Sequence, residues 1–336
     1  VKPSQVINSL THLVSRKRPA FIWGPPGAGK SDIVRTVAEN AGLELRDVRL
    51  NLMDPVDLKG FPTIEEVGTG RSKTRQMSFV PPDFLPHDPK SKGILFLDEM
   101  NSATQSVQAA AYQLILNRRI GEYTLPDGWA VLAAGNRAGD RAVVHTMPSA
   151  LANRFVHIDF QVDVDDWYDW ATKTGVSDVT RAFIKFRPHL LHSFDPSANE
   201  RAFPTPRSWV FVDDVARSNL PADTEYELIK GTVGEGAAAE YLAFSKLAAE
   251  LPTADEILVA PDTAPVPESP AAKYAVCTML DKKATPNSFG RLLTYVERLP
   301  IEFQVLFMRS VAMANRTLTQ NKDYIKWVTA NQEVLL

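Results

Sequence analysis

Gly24-Pro25-Pro26-Gly27-Ala28-Gly29-Lys30-Ser31 has the G-x-x-x-x-G-K-[ST] spacing of a loop that holds the phosphates of a nucleoside triphosphate. Glycine lets the backbone turn where a Cβ would clash, so that successive N–H groups point inward at a β-phosphate. Lys30 adds positive charge near the β- and γ-phosphates, and the Ser31 hydroxyl suits Mg²⁺. The setting strengthens the pattern. Ala20-Phe21-Ile22-Trp23 reads as a buried strand entering the loop, and residues 31–40 read as a helix leaving it. Ile33, Val34, Val37 and Ala38 share one face of that helix, which stops near Gly42. Free N–H groups and the positive end of the peptide dipole at a helix N-terminus favour a polyphosphate.

A second chemical signal is Ile94-Leu95-Phe96-Leu97-Asp98-Glu99. Four apolar residues make a fully buried strand, and its two carboxylates fall at the C-terminal end, where open parallel sheets place ligands. Behind a phosphate loop, Asp98 is the candidate holder of Mg²⁺ and Glu99 the candidate that polarises an attacking water. Residues 129–134 form another apolar strand, which leads into Gly135-Asn136. From there the Asn136 amide could bond both a water and a γ-phosphate oxygen, although Asn also forms turns after strands. Arg154 is a surface arginine able to complete a neighbouring subunit's site. Taken by itself it is one arginine among many.

These residues need elements to hold them. Ser4 is placed to cap a first helix through about Ser15, which ends in Arg16-Lys17-Arg18. That charged run faces either water or a phosphate. Residues 45–50 suggest an edge strand of mixed polarity. Residues 54–92 contain six prolines and no strong helix; 61–64 and 74–80 can pair as a hairpin around Gly68-Thr69-Gly70, with Arg71, Lys73 and Arg75 near its tip. An excursion this long reads as an inserted element that meets a substrate or partner. Asn101 or Ser102 would cap a helix ending at Arg118-Arg119, followed by strands at 120–123 and 129–134 and a fifth strand at 156–160. From Asp163 onward helices dominate. Thr205-Pro206-Arg207 has the form of a helix start, with Thr205 as cap and Pro206 at the first helical position. Arg207 in that first turn opposes the helix dipole, which suits a phosphate partner. The proline-rich stretch 251–270 reads as a linker, and residues 271–336 as a final helical segment.

Composition narrows the class. The chain has 336 residues, 44% hydrophobic and 23% charged, which is ordinary for a folded protein. A net charge of -3 disfavours a surface that clamps duplex nucleic acid along its length, though a local basic pore would escape that argument. No apolar run spans a bilayer and the first residues lack the order of a signal peptide, so no membrane is expected. Cys277 is the single cysteine, which points to a reducing cytoplasm. His189 and His192 lack companions for a metal set.

Taken in order, Gly24 to Ser31, Leu97-Asp98-Glu99, Ala134-Gly135-Asn136, Asn153-Arg154-Phe155 and Pro206-Arg207 resemble the AAA+ ATPases. Asp54-Pro55-Val56-Asp57-Leu58-Lys59-Gly60, the insert, and Ile120-Gly121-Glu122 through Pro126-Asp127-Gly128-Trp129 look most like the MoxR branch. The resemblance covers about residues 1–250. It implies an α/β phosphate-loop NTPase sandwich over 1–162 with a parallel five-stranded sheet and the insert at 54–92, then an α-helical lid over 163–250. It implies ATP and Mg²⁺ as ligands: Lys30 and Ser31 on phosphate and Mg²⁺, Asp98 on Mg²⁺, Glu99 as water activator, Asn136 as first sensor, Arg154 as a finger in trans and Arg207 as second sensor. It also implies a homo-oligomeric ring, usually a hexamer, that remodels proteins as a chaperone would, often with a von Willebrand factor A-type partner. The expectation is therefore a Mg²⁺-dependent ATPase acting on a protein. The alternatives are a motor stimulated by nucleic acid and, less suited to Glu99, a small-molecule kinase.

Overall fold

The computed structural model describes residues 1–67, 73–140, 145–198 and 200–335, so the expected hairpin tip at Gly68 to Arg71 lies outside the described residues. The chain divides into two compact bodies, Val1–Val162 and Asp163–Leu336. The first runs α1 (Pro3–Ser15), β1 (Ala20–Trp23), α2 (Lys30–Ala41), β2 (Glu44–Arg49), α3 (Pro55–Lys59), β3 (Phe61–Val67), β4 (Thr74–Val80), β5 (Gly93–Asp98), α4 (Gln105–Asn117), β6 (Arg119–Ile120), β7 (Tyr123–Thr124), β8 (Trp129–Gly135), α5 (Ser149–Ala152) and β9 (Val156–Asp159).

Five strands form one parallel sheet in the order β2-β5-β8-β1-β9. Successive residues of a strand face opposite sides, and the sequence uses both. Phe21, Leu95, Leu97, Val131 and Ala133 join the core beneath α3 and α4, while Ile22, Ile94, Phe96, Leu132 and Ala134 join the one beneath α1 and α2. Each large side chain buried this way contributes about 1.5–3 kcal/mol. The sheet is thus a phosphate-loop αβα sandwich, with β2 at an edge as its mixed polarity predicts. Parallel register aligns the strand ends: Trp23 lies opposite Gly135 on one side and Asp159 on the other, and Arg49 lies opposite Asp98. The ends of β1, β5 and β8 therefore open on one edge.

Some local expectations give way. Helix α1 starts at Pro3 rather than after a Ser4 cap, and the Gln5 side chain accepts from the Lys2 N–H at 3.3 Å. Helix α4 is capped by Thr104, whose Oγ1 accepts from the Val107 N–H at 3.4 Å, and not by Asn101 or Ser102. The Asn101 side chain instead reaches the main chain of Asn136. The strand expected at 120–123 folds back on itself, pairing Arg119–Ile120 with Tyr123–Thr124.

Within the insert, β3 and β4 pair along their full length, from Phe61 opposite Val80 to Val67 opposite Thr74. Its root is Gly60, at φ 89, where a Cβ would stand 2.0 Å from the Val80 carbonyl oxygen.

The second body continues with α6 (Val164–Thr174), α7 (Asp178–Phe186), α8 (Pro206–Ala216), α9 (Ala222–Val233), α10 (Glu235–Ala249), α11 (Ala254–Val259), α12 (Pro270–Asp281), α13 (Phe289–Val296), α14 (Ile301–Ala314), α15 (Lys322–Ala330) and α16 (Gln332–Leu335). Thr205 caps α8 as expected, its Oγ1 accepting from the Ser208 N–H at 3.0 Å. Residues 251–270 are not a loose linker. Thr253 and Glu256 form a capping box that starts α11, and Ala254, Ile257 and Ala264 are buried. The Arg298 guanidinium donates to the Pro261 and Ala264 carbonyls at 2.8 and 2.9 Å. Proline fixes φ, so the segment follows a set path over the helices rather than a flexible one. The helices on either side of it also share one body: Tyr168 of α6 donates to Asp281 of α12 at 2.8 Å, and the fully buried Arg181 of α7 lies 3.7 Å from the same carboxylate. Burial, followed by the Asp281 charge, pushes the Tyr168 hydroxyl well up. Among the described residues, no helix is long and apolar enough to cross a membrane.

Gly60→Ala would force a left-handed φ on a residue with a Cβ and drive that Cβ into Val80. We expect the hairpin to weaken by about 1–3 kcal/mol, read as faster amide exchange across residues 61–67 and 74–80 with little change in the five-stranded sheet.

Candidate nucleotide site

At the edge where β1, β5 and β8 end, five of the expected residues come together. The loop turns into α2 at Gly29, whose φ of 95 belongs to the left-handed region, and Lys30 opens the helix. The Lys30 ammonium donates to the Gly24 and Pro25 carbonyls at 2.8 and 3.0 Å and to the Asn136 Oδ1 at 3.0 Å. The Ser31 hydroxyl donates to Asp98 Oδ2 at 2.9 Å, and the Glu99 N–H donates to Asp98 Oδ1 at 2.9 Å. A strand-to-helix turn thus meets an acidic strand end and an amide from a third strand. Pro26, Gly27 and Ala28 complete the loop between them, with Gly27 also at positive φ.

Asp47 of β2 is pushed above the ordinary carboxylate value, first by burial and then by the Asp98 charge. The Ser31 hydroxyl and Asp98 carboxylate are hard oxygen donors of the kind Mg²⁺ takes, and they already face each other.

Two asparagines to which the sequence assigns no role here take part in the site. Asn51, two residues beyond β2, donates from Nδ2 to Glu99 Oε2. Glu99 itself has φ 52, a left-handed conformation that costs a residue with a Cβ about 1–2 kcal/mol. From that backbone the Glu99 carboxylate takes Asn51 as its partner while its N–H serves Asp98. Asn101, buried at 3% exposure, grips the main chain of Asn136 with both ends of its amide. Its Nδ2 donates to the Asn136 carbonyl at 2.6 Å, and its Oδ1 accepts from the Asn136 N–H at 3.1 Å. Gly135 makes room for this grip, because a Cβ there would stand 2.1 Å from Asn101 Oδ1. An asparagine just past a strand end is the available signal for Asn51. Asn101 gives none, because its partner lies 35 residues away.

The two arginines lie on other elements. Arg154 is exposed in the turn between α5 and β9, its N–H donating to the Leu151 carbonyl at 3.0 Å. Arg207 is exposed in the first turn of α8, in the second body. Asn101→Ala would strip both partners from a part-buried peptide group, a loss of up to about 1–3 kcal/mol per group left unsatisfied. We expect a lowered denaturation midpoint, and a midpoint like that of the unaltered protein would show the grip to be dispensable.

The model of the ATPase family associated with various cellular activities (AAA) matches residues 20–162. Midasin of Giardia intestinalis is 28% identical over 170 residues, which is 48% of this chain and 3% of that protein's length. Among solved structures, NtrX of Brucella abortus in complex with ADP is 16% identical, with a TM-score of 0.40 over 93% of this chain and 68% of that one. The RuvB Holliday junction branch migration motor of Thermotoga maritima is 15% identical, with a TM-score of 0.37 over 71% of this chain and 68% of its own. The matched stretch spans the phosphate loop, Asp98, Glu99, Asn136 and Arg154. Over residues 20–162, the chain is thus similar to an AAA-family ATPase domain.

Proposed function

We propose that the protein hydrolyses ATP with Mg²⁺ and uses the cycle to remodel a protein partner, in the manner of the MoxR branch of AAA+ ATPases. The observation that carries hydrolysis is Glu99: it stands beside the Ser31 and Asp98 pair with its carboxylate on an exchangeable amide, Asn51. Loop N–H groups and Lys30 would hold the β- and γ-phosphates. For Lys30 this means exchanging main-chain carbonyls for phosphate oxygens. Ser31 and Asp98 would hold Mg²⁺, which neutralises phosphate charge when bound. Once Asn51 lets go, Glu99 can accept a proton from the attacking water. Asn136, its backbone fixed by Asn101, would offer its amide to that water or to the γ-phosphate. Arg154 would reach the site of a neighbouring subunit, and Arg207 would read the phosphate from the helical body. Both assignments fit a homo-oligomeric ring, hexameric by the resemblance.

The partner is read from the insert. Phe61 and Ile64 on β3 and Met77 and Val80 on β4 are 77, 72, 59 and 56% exposed, on both faces of the two-stranded ribbon. Large apolar side chains left in water on a projecting hairpin suit an apolar protein surface better than a phosphate backbone. Near the tip, Lys73 is already paired with Glu66 at 3.1 Å, which lowers the positive charge available to nucleic acid. A von Willebrand factor A-type protein is one partner class that fits this reading.

Glu99→Gln should retain ATP binding and slow phosphate release by about 100-fold or more. Lys30→Ala should weaken binding of a fluorescent ATP analogue by about tenfold or more. Unchanged turnover in the Glu99 variant would remove that residue from its role. Held in ATP, the Glu99→Gln protein should retain its protein partner on an affinity column. Adding Ile64→Ser and Met77→Ser to the same chain should release that partner without altering nucleotide affinity. Retention by both would place the contact outside the hairpin.

A further inference from the structure

His157 is exposed at the surface of β9, yet both of its ring nitrogens are taken. Trp23 Nε1 donates to His157 Nδ1 at 2.9 Å, and His157 Nε2 meets the Ala152 carbonyl at 2.8 Å. An indole nitrogen only donates and a carbonyl only accepts, so Nδ1 accepts from Trp23 and Nε2 donates to Ala152. The indole and imidazole also stack, with centroids 6.0 Å apart and planes 23° from parallel. Phe21 and Phe155 meet edge to face at 5.5 Å and complete the cluster.

The two ends of this chain of contacts touch different machinery. Trp23 immediately precedes Gly24, the first residue of the phosphate loop, and the Gly24 N–H bonds the Gly135 carbonyl at 3.3 Å, next to Asn136. Ala152 closes α5, two residues before Arg154, and its carbonyl also accepts from the Phe155 N–H at 3.2 Å. The Arg154 turn is therefore bracketed by groups that lead back to the loop. A half-exposed bond of this kind adds little to core stability, since each nitrogen could bond water instead. Its geometry serves orientation.

We propose that Trp23 and His157 are positioning residues: a relay by which occupancy of a subunit's own phosphate loop sets where that subunit holds Arg154 for its neighbour. The relay rests on the reading of Arg154 as acting across a subunit boundary. Movement of the loop as Lys30 changes partners shifts the indole at the end of β1, and the imidazole carries the shift to the end of α5.

Subunit mixing tests it. His157→Phe keeps a ring of similar size and removes both hydrogen bonds, and Trp23→Phe removes only the donor. In each, ATP affinity should stay within about twofold of the unaltered protein, while phosphate release falls about three- to tenfold, the effect of losing a neutral hydrogen bond. Mixed with Glu99→Gln subunits, either variant should regain turnover, because the Glu99→Gln subunits supply well-placed arginines to sites that still have Glu99. Mixed with Arg154→Ala subunits, neither should. The control is Arg154→Ala with Glu99→Gln. If the control regains turnover and the His157 and Trp23 variants do not, the two residues serve their own site and the relay is overturned. Should the control itself fail, the reading of Arg154 across the boundary falls, and the relay with it. Thermal melting identifies a His157 variant that does not fold, in which case Trp23→Phe carries the test. Unchanged turnover in a folded variant also overturns the proposal.

Discussion

A partly buried ammonium group must be surrounded by oxygen, and the Lys30 side chain meets that demand with the Gly24 and Pro25 carbonyls and the Asn136 amide. Much of the first body can be read as the means of setting up this one contact. Parallel register places Gly135 level with Trp23, so the residue after each strand end falls at the same edge. Asn101 then fixes the Asn136 backbone and leaves its side chain to face Lys30. These are contacts that the oxygens of a polyphosphate can replace, adding an opposite charge to bonds whose donor is already ionised. Nucleotide binding in this reading is an exchange of partners, which is what lets it move the groups on the far side of each bond.

The same logic runs through the acidic strand end. Ser31 and Asp98 hold one another at 2.9 Å, and the next carboxylate, on Glu99 with its left-handed backbone, takes a different partner. One then serves the loop and the other faces Asn51. Away from the sheet, the fully paired but apolar-surfaced hairpin is held at its root by a glycine that tolerates no side chain.

How much of the molecule is legible in the chain depends on the range of the forces involved. The phosphate loop, the strand before it and the acidic strand are local patterns of backbone freedom and apolar runs, and each stands where spacing places it. The five-stranded sheet and the Thr205 cap are legible for the same reason. Asn101 is mistaken for a helix cap because, at the level of local sequence, an asparagine before a helix looks alike whether it bonds its own turn or a strand 35 residues away. Residues 251–270 read as a linker from their prolines, although Thr253-x-x-Glu256 is a capping box visible in the sequence. Local sequence does not reveal Arg298 and Tyr295, which reach back to the proline-flanked carbonyls. The Trp23 and His157 contact is hidden too, since 134 residues separate the partners.

If Glu99 and its neighbours activate water, the γ-phosphoryl group goes to water rather than to another acceptor. Turnover of ATP with Mg²⁺ in ¹⁸O-labelled water, followed by mass analysis of both products, measures that transfer directly. The expected result is label from water in the released inorganic phosphate and none in ADP. Unlabelled phosphate, or consumption of ATP that requires an added acceptor and releases no phosphate, would contradict water activation by Glu99.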